Sequence, residues 1–158
     1  MTFSWQALIL GFLPMIPNIL FFTVFRPKEQ PVQKDGGLIL NLLEHGGRIL
    51  YLFLLVCFSF STPVRFSGVP LLGMIVFFGL YLGLWIYYFL KKSANAVFFG
   101  KILGIPFVLY MVFFPILYYL FVSIGMRNYL SLLALLLFLI GHLVNTIVLY
   151  RMNTKRKQ

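Results

Sequence analysis

The chain has 158 residues, of which 61% are hydrophobic and only 10% charged, with a mean hydropathy of +0.98. A soluble domain of this length carries about 25% charged residues, so there is too little polar surface here to coat a globule in water. The formal net charge of +10 comes from 13 Lys and Arg against three acids; these cations stand in short clusters between apolar runs, which argues for membrane orientation and contact with anionic lipid headgroups, and against nucleic acid.

Five apolar runs of 22 or 23 residues follow one another, each long enough to cross a hydrocarbon core of ~30 Å at ~1.5 Å per residue. Only a helix or a closed barrel satisfies its backbone in that medium, and the short alternating segments of a barrel are absent. The spacing predicts helices over about 3–25, 38–60, 69–90, 102–124 and 129–150, forming one transmembrane domain over 1–158. The expected architecture is all-α, an integral membrane bundle of five transmembrane helices.

The first run contains Pro14 and Pro17 and lacks a basic leader and a small-residue cleavage site, so it reads as a retained helix and not as a signal peptide. The second carries charged residues and Cys57, the single cysteine, so no intrachain disulfide forms. The third holds Gly79 and Gly83, whose four-residue spacing permits close helix approach or a homodimer seam. The fourth starts near Gly100 and Gly104, at the same spacing, and includes Pro106 and Pro115, which free backbone carbonyls and can kink a helix. The fifth runs into a basic tail. Trp5, Trp85, Tyr87, Tyr88, Tyr129 and Tyr150 stand at run ends and fit interfacial aromatic belts.

Charge sets the orientation. If the loops alternate sides, Arg26, Lys28, Lys34 and Arg48 share a side with Lys91, Lys92 and Lys101 and with Arg151, Lys155, Arg156 and Lys157. Only Arg65 and Arg127 fall on the other. The cation-rich side is cytoplasmic by the positive-inside rule, which places the N-terminus outside and the C-terminus in the cytoplasm. A bacterial cytoplasmic membrane is the expected location.

The informative residues are the polar ones inside the apolar runs. Asn41, Glu44, His45 and Arg48 are offset as i, i+3, i+4 and i+7, one face of a helix, with Glu44 preceding Arg48 by the four residues that favour an ion pair. His142, Asn145 and Thr146 form a second stripe, and Asn18 follows Pro17 in the first run. Counted inward from the basic edge at ~1.5 Å per residue, Glu44 lies ~9 Å deep, Asn18 ~12 Å, His142 ~13 Å and Arg48 ~15 Å. An ionisable group at such depth costs at least ~2.5–3.5 kcal/mol if it faces lipid. These eight residues are therefore expected to line a cytoplasm-facing polar pocket formed by the first, second and fifth helices. The competing arrangement makes residues 38–48 an interfacial amphipathic helix, with Arg48 snorkelling to the headgroups.

No metal site is expected, because Glu44 and His45 point ~100° apart on a helix and no HExxH spacing occurs. No phosphate-binding glycine loop and no nucleophile beside the histidines is present, so neither a cofactor nor catalytic residues are assigned. Three functional classes follow. The favoured one is a non-enzymatic transporter, sensor or membrane subunit that binds a polar or anionic small ligand. The second is a membrane enzyme acting on a lipid or isoprenoid headgroup with His45 or His142 as base. The third is an accessory subunit that uses its glycine pairs to meet a membrane partner or a second copy of itself.

Three motifs carry a family likeness: "MIPN" at Met15–Asn18, "LLEHGGR" at Leu42–Arg48 and "GHLVNT" at Gly141–Thr146. In their order and in the basic end that follows, the chain resembles a group of small bacterial multi-pass membrane proteins with no assigned activity. The resemblance implies that the Pro-Asn element, the charged element and the late histidine belong together; it implies no reaction.

Overall fold

The computed structural model describes residues 3–24, 37–58, 68–91 and 95–155. Arg26, Lys28, Lys34, Arg65, Lys92, Arg156 and Lys157, on which part of the orientation rests, lie outside them. The described chain is almost wholly helical. Four helices are long and apolar enough to cross a membrane: Leu38–Cys57, Val69–Leu90, Phe107–Gly125 and Tyr129–Thr154. Large apolar side chains such as Leu72, Ile75, Ile86, Leu133 and Ile140 are exposed on them, the surface that a bilayer would cover.

The first run is not one helix. It breaks at Leu13–Pro14 into α1 (Trp5–Phe12) and α2 (Met15–Thr23). Pro14 has no N–H for the Leu10 carbonyl, and Pro17 has none for that of Leu13. Three carbonyls at the break find other donors. The Tyr118 hydroxyl donates to the Leu10 carbonyl at 3.0 Å and the Tyr119 hydroxyl to that of Gly11 at 2.9 Å. The Ile16 N–H reaches the Leu13 carbonyl at 3.3 Å. Ser4 caps α1 through the Ala7 N–H and donates its own N–H to the Val56 carbonyl.

The second span is α3 (Leu38–Asn41), a π-helical segment (Leu42–Gly46) and α4 (Gly47–Cys57). The wider π turn holds Glu44 and His45 and is a form that recurs at functional sites. The third span, α5 (Val69–Leu90), keeps the expected limits. The fourth starts later than expected. After α6 (Asn95–Phe98), residues 101–106 form a small hairpin, β1 (Lys101–Ile102) with β2 (Ile105–Pro106), turning through Leu103 and Gly104, both with positive φ. Pro106 holds Ile105 extended and precedes α7 (Phe107–Gly125), so it starts the helix where an internal kink was expected. Pro115 does lie inside α7. The last helix, α8 (Tyr129–Lys155), carries the helical period into the basic tail.

In the bundle α5 pairs with α7, and α4 and the π segment pair with α8; α7 lies against α8, and α1 against α4. The glycines that permit close approach are Gly47 and Gly141. A Cβ on Gly47 would stand 2.6 Å from the Phe138 nitrogen, and one on Gly141 2.8 Å from the Glu44 Cα. Gly79 and Gly83, the pair singled out by spacing, have nothing within 4 Å of an added Cβ. Gly104 serves the hairpin turn.

In the half of the bundle containing the α7–α8 turn, α4, α7 and α8 are pinned by a buried polar chain. It runs from the Ser131 hydroxyl to that of Ser123 at 2.8 Å, on to the Tyr51 hydroxyl at 3.2 Å, and ends on the Tyr119 carbonyl at 3.0 Å. Asn128 Nδ2 donates to the Leu54 carbonyl at 2.9 Å. Each buried polar group there has a partner, as it must in a medium without water.

Candidate functional site

The other half of the bundle encloses a cavity of about 460 Å³. It lies toward the end where α5 stops at Lys91, α7 starts after Lys101, and α8 passes Arg151. All eight polar residues singled out in the sequence line it. The second span supplies Asn41, Glu44, His45 and Arg48; α8 supplies His142, Asn145 and Thr146; α2 supplies Asn18.

Glu44 is the centre of the polar wall. Its Oε1 accepts from His142 Nδ1 at 2.8 Å and its Oε2 from Asn145 Nδ2 at 2.6 Å. Asn145 Nδ2 also donates to Asn41 Oδ1 at 3.1 Å. Arg48 approaches Glu44 Oε1 only to 3.5 Å, so the principal partners of the carboxylate lie on α8 and not on its own helix. The Gly141 contact makes this reach short, because the backbones of α8 and the π segment touch beside Glu44. The Arg48 guanidinium sits 4.8 Å from the Phe138 ring centroid, and Phe138 stacks on His142 at 5.2 Å. Arg48 thus lies against an aromatic face and lines the cavity. His45, one residue beyond Glu44, is exposed at the cavity rim and makes no hydrogen bond among the described residues. Asn18 crosses the gap: its Nδ2 donates to the Tyr81 hydroxyl at 3.1 Å and to the Pro14 carbonyl at 3.3 Å.

Spacing did not reveal the opposite wall. It comes from α5 and α7, which the expected three-helix pocket omitted, and includes Tyr81, Trp85, Val108, Met111 and Tyr119. Trp85 and Tyr88 were read as interfacial, yet they are 4% and 1% exposed, while Trp5 is 69% exposed. Phe21 of α2 packs on Trp85 and Tyr88 with ring centroids 5.5 and 5.8 Å apart. Pro115 and Met111 both line the cavity; proline offers no N–H to the Met111 carbonyl one turn back. Two buried polar atoms make no hydrogen bond among the described residues, Trp85 Nε1 and Asn145 Oδ1, and both belong to residues lining the cavity.

Fold and cavity together define a helical bundle with four helices long and apolar enough to span a membrane and a chamber in one half, polar on one wall and aromatic on the other. Comparison with family models, curated proteins and solved structures finds no match. Among the described residues no group of three or more His, Cys, Asp or Glu is placed to hold a metal ion.

Proposed function

We propose that the chain is a ligand-binding protein of a bacterial cytoplasmic membrane, a small transporter, sensor or membrane subunit, whose cavity takes a polar or anionic small molecule from the cytoplasm. The supporting observation is the convergence of Arg48, Glu44, His142, Asn145 and Asn18, from three separate segments, on one cavity. Such groups are costly in lipid and mark ligand paths when they face an interior space. In this reading α1 and α2 act together as a broken fifth span, a form tolerated where backbone lines a cavity, and the end bearing Lys91, Lys101 and Arg151 is cytoplasmic.

The test is thermal stabilisation of the purified protein by a panel of small carboxylates, inorganic phosphate and alkyl phosphates. At least one member is expected to raise the melting temperature, and Arg48→Ala to abolish that rise. A wild-type protein indifferent to the whole panel, or an Arg48→Ala protein that keeps the full response, refutes the reading.

A second reading has one specific observation in its favour. With Nδ1 held by Glu44, the His142 tautomer is set and Nε2 is left as the basic nitrogen, the arrangement by which a carboxylate orients a catalytic imidazole. A membrane hydrolase of lipid or isoprenoid headgroups would use that nitrogen to take a proton from water. Turnover of such lipids by wild-type protein, lost about 100-fold or more in His142→Ala, supports it; equal turnover removes it.

A further inference from the structure

The two walls of the cavity say what shape of molecule fits. Glu44 is engaged on both oxygens and already has a cationic neighbour: one oxygen accepts from His142 and faces Arg48, and the other accepts from Asn145. The carboxylate is therefore not waiting for a cationic ligand. The unused groups are mostly donors. Arg48 offers five N–H groups and spends one on a 3.5 Å contact. Trp85 Nε1, on a side chain more than nine-tenths buried, lies beside the Tyr81 hydroxyl without a well-formed hydrogen bond. The Tyr81 hydroxyl accepts from Asn18 and keeps its own proton to give. One buried acceptor remains, Asn145 Oδ1. An oxyanion that also bears an O–H matches this inventory, and a phosphate monoester has that form as its monoanion, the state below its second pKa of about 6.

The rest of the cavity has no use for such a head. Phe21, Phe98, Val108 and Met111 line it with apolar surface, and its volume of about 460 Å³ falls within the ~300–1,000 Å³ of organic-ligand sites. A bare anion would leave the aromatic wall uncovered.

On the reading that this cavity binds an anionic ligand, we propose that its ligand is an amphiphile: a phosphate-monoester head on a single apolar chain. The head meets Arg48 and Asn145, and the chain lies against α5 and α7. The guanidinium pairs with two phosphate oxygens in the forked geometry that arginine favours.

The chain has only two tryptophans, so a Trp5→Phe protein reports on Trp85 alone. In phosphatidylcholine nanodiscs, dodecyl phosphate is expected to change Trp85 emission saturably. Its midpoint should lie at least about tenfold below those of inorganic phosphate and dodecylphosphocholine. Arg48→Gln should raise that midpoint about tenfold or more. Arg48→Lys, which keeps the charge beside Glu44 but not the forked guanidinium, should weaken dodecyl phosphate as well, so it serves even if the Arg48→Gln variant fails to fold. Inorganic phosphate binding as well as dodecyl phosphate overturns the amphiphile while leaving the anion-binding reading intact. Equal response to the two dodecyl probes, unmoved by Arg48→Gln, overturns the anionic head. Silence toward every probe overturns the inference; the broader reading falls only if the thermal panel is silent as well.

Discussion

Gly141→Ala is expected to cost the purified protein about 3 kcal/mol or more, roughly 6–12 °C in melting temperature at ~2–4 °C per kcal/mol for a chain of this size. The added methyl would meet backbone, not a side chain: the Glu44 nitrogen and Cα and the Leu43 carbonyl carbon of the π segment. A side-chain tip can rotate away, but a packed helix backbone moves only as a unit. Relief therefore requires α8 to part from the second span, which lengthens the Glu44–His142 and Glu44–Asn145 hydrogen bonds at the same time. Gly79→Ala supplies the control. Nothing lies within 4 Å of its added Cβ, so the change is neutral or gains up to ~1 kcal/mol from helix propensity. Melting both variants in one detergent decides the matter: equal losses would mean that α8 and the π segment do not touch at Gly141.

The second large effect concerns the carboxylate. Removing Glu44 leaves His142 Nδ1 without its acceptor, leaves Asn145 Nδ2 with Asn41 Oδ1 alone, and takes from Arg48 its counter-charge among the described residues. Breaking a buried charged pair costs ~3–5 kcal/mol; with Glu44 13% exposed and Arg48 27% exposed, about 2 kcal/mol is expected for Glu44→Ala. A pair of double-mutant cycles separates the partners. Coupling between Glu44 and His142, at 2.8 Å, should reach ~1–3 kcal/mol, whereas coupling between Glu44 and Arg48, at 3.5 Å, should stay below ~1 kcal/mol. The reverse order would show that the ion pair within the second span, not the link to α8, holds the carboxylate.

The parts of this molecule that were legible in its sequence are those whose physics is local. Apolar run length marks the helices, since a bilayer imposes it directly. The cost of charge in lipid points to Glu44, Arg48 and His142, and spacing groups them with Asn41, Asn145 and Thr146. What stayed hidden depends on how segments meet. Trp85 and Tyr81 look like any aromatic residue in an apolar run; only the placement of α5 and α7 puts them on the cavity. The π segment escapes a reading based on a 3.6-residue period, because its extra residue does not interrupt the polar stripe. His45 shares the stripe but is exposed at the cavity rim. The hairpin at 101–106 was hidden because Ile102, Leu103 and Ile105 extend the apolar run; Gly104 and Pro106 were the available signals. Gly79 and Gly83 show the converse, a spacing that meets no backbone within the chain.

The break at Leu13–Pro14 divides the duties of the first segment. Tyr118, Tyr119 and the Val56 carbonyl moor α1 to the polar-pinned half of the bundle. Beyond the break no unbroken ladder carries that mooring into α2, which meets the cavity through the Asn18 amide on Tyr81 and the Phe21 ring among aromatics. The chamber's wall at Asn18 can therefore be retuned by side-chain substitution without disturbing the foundation, much as a shutter is rehung without rebuilding its frame.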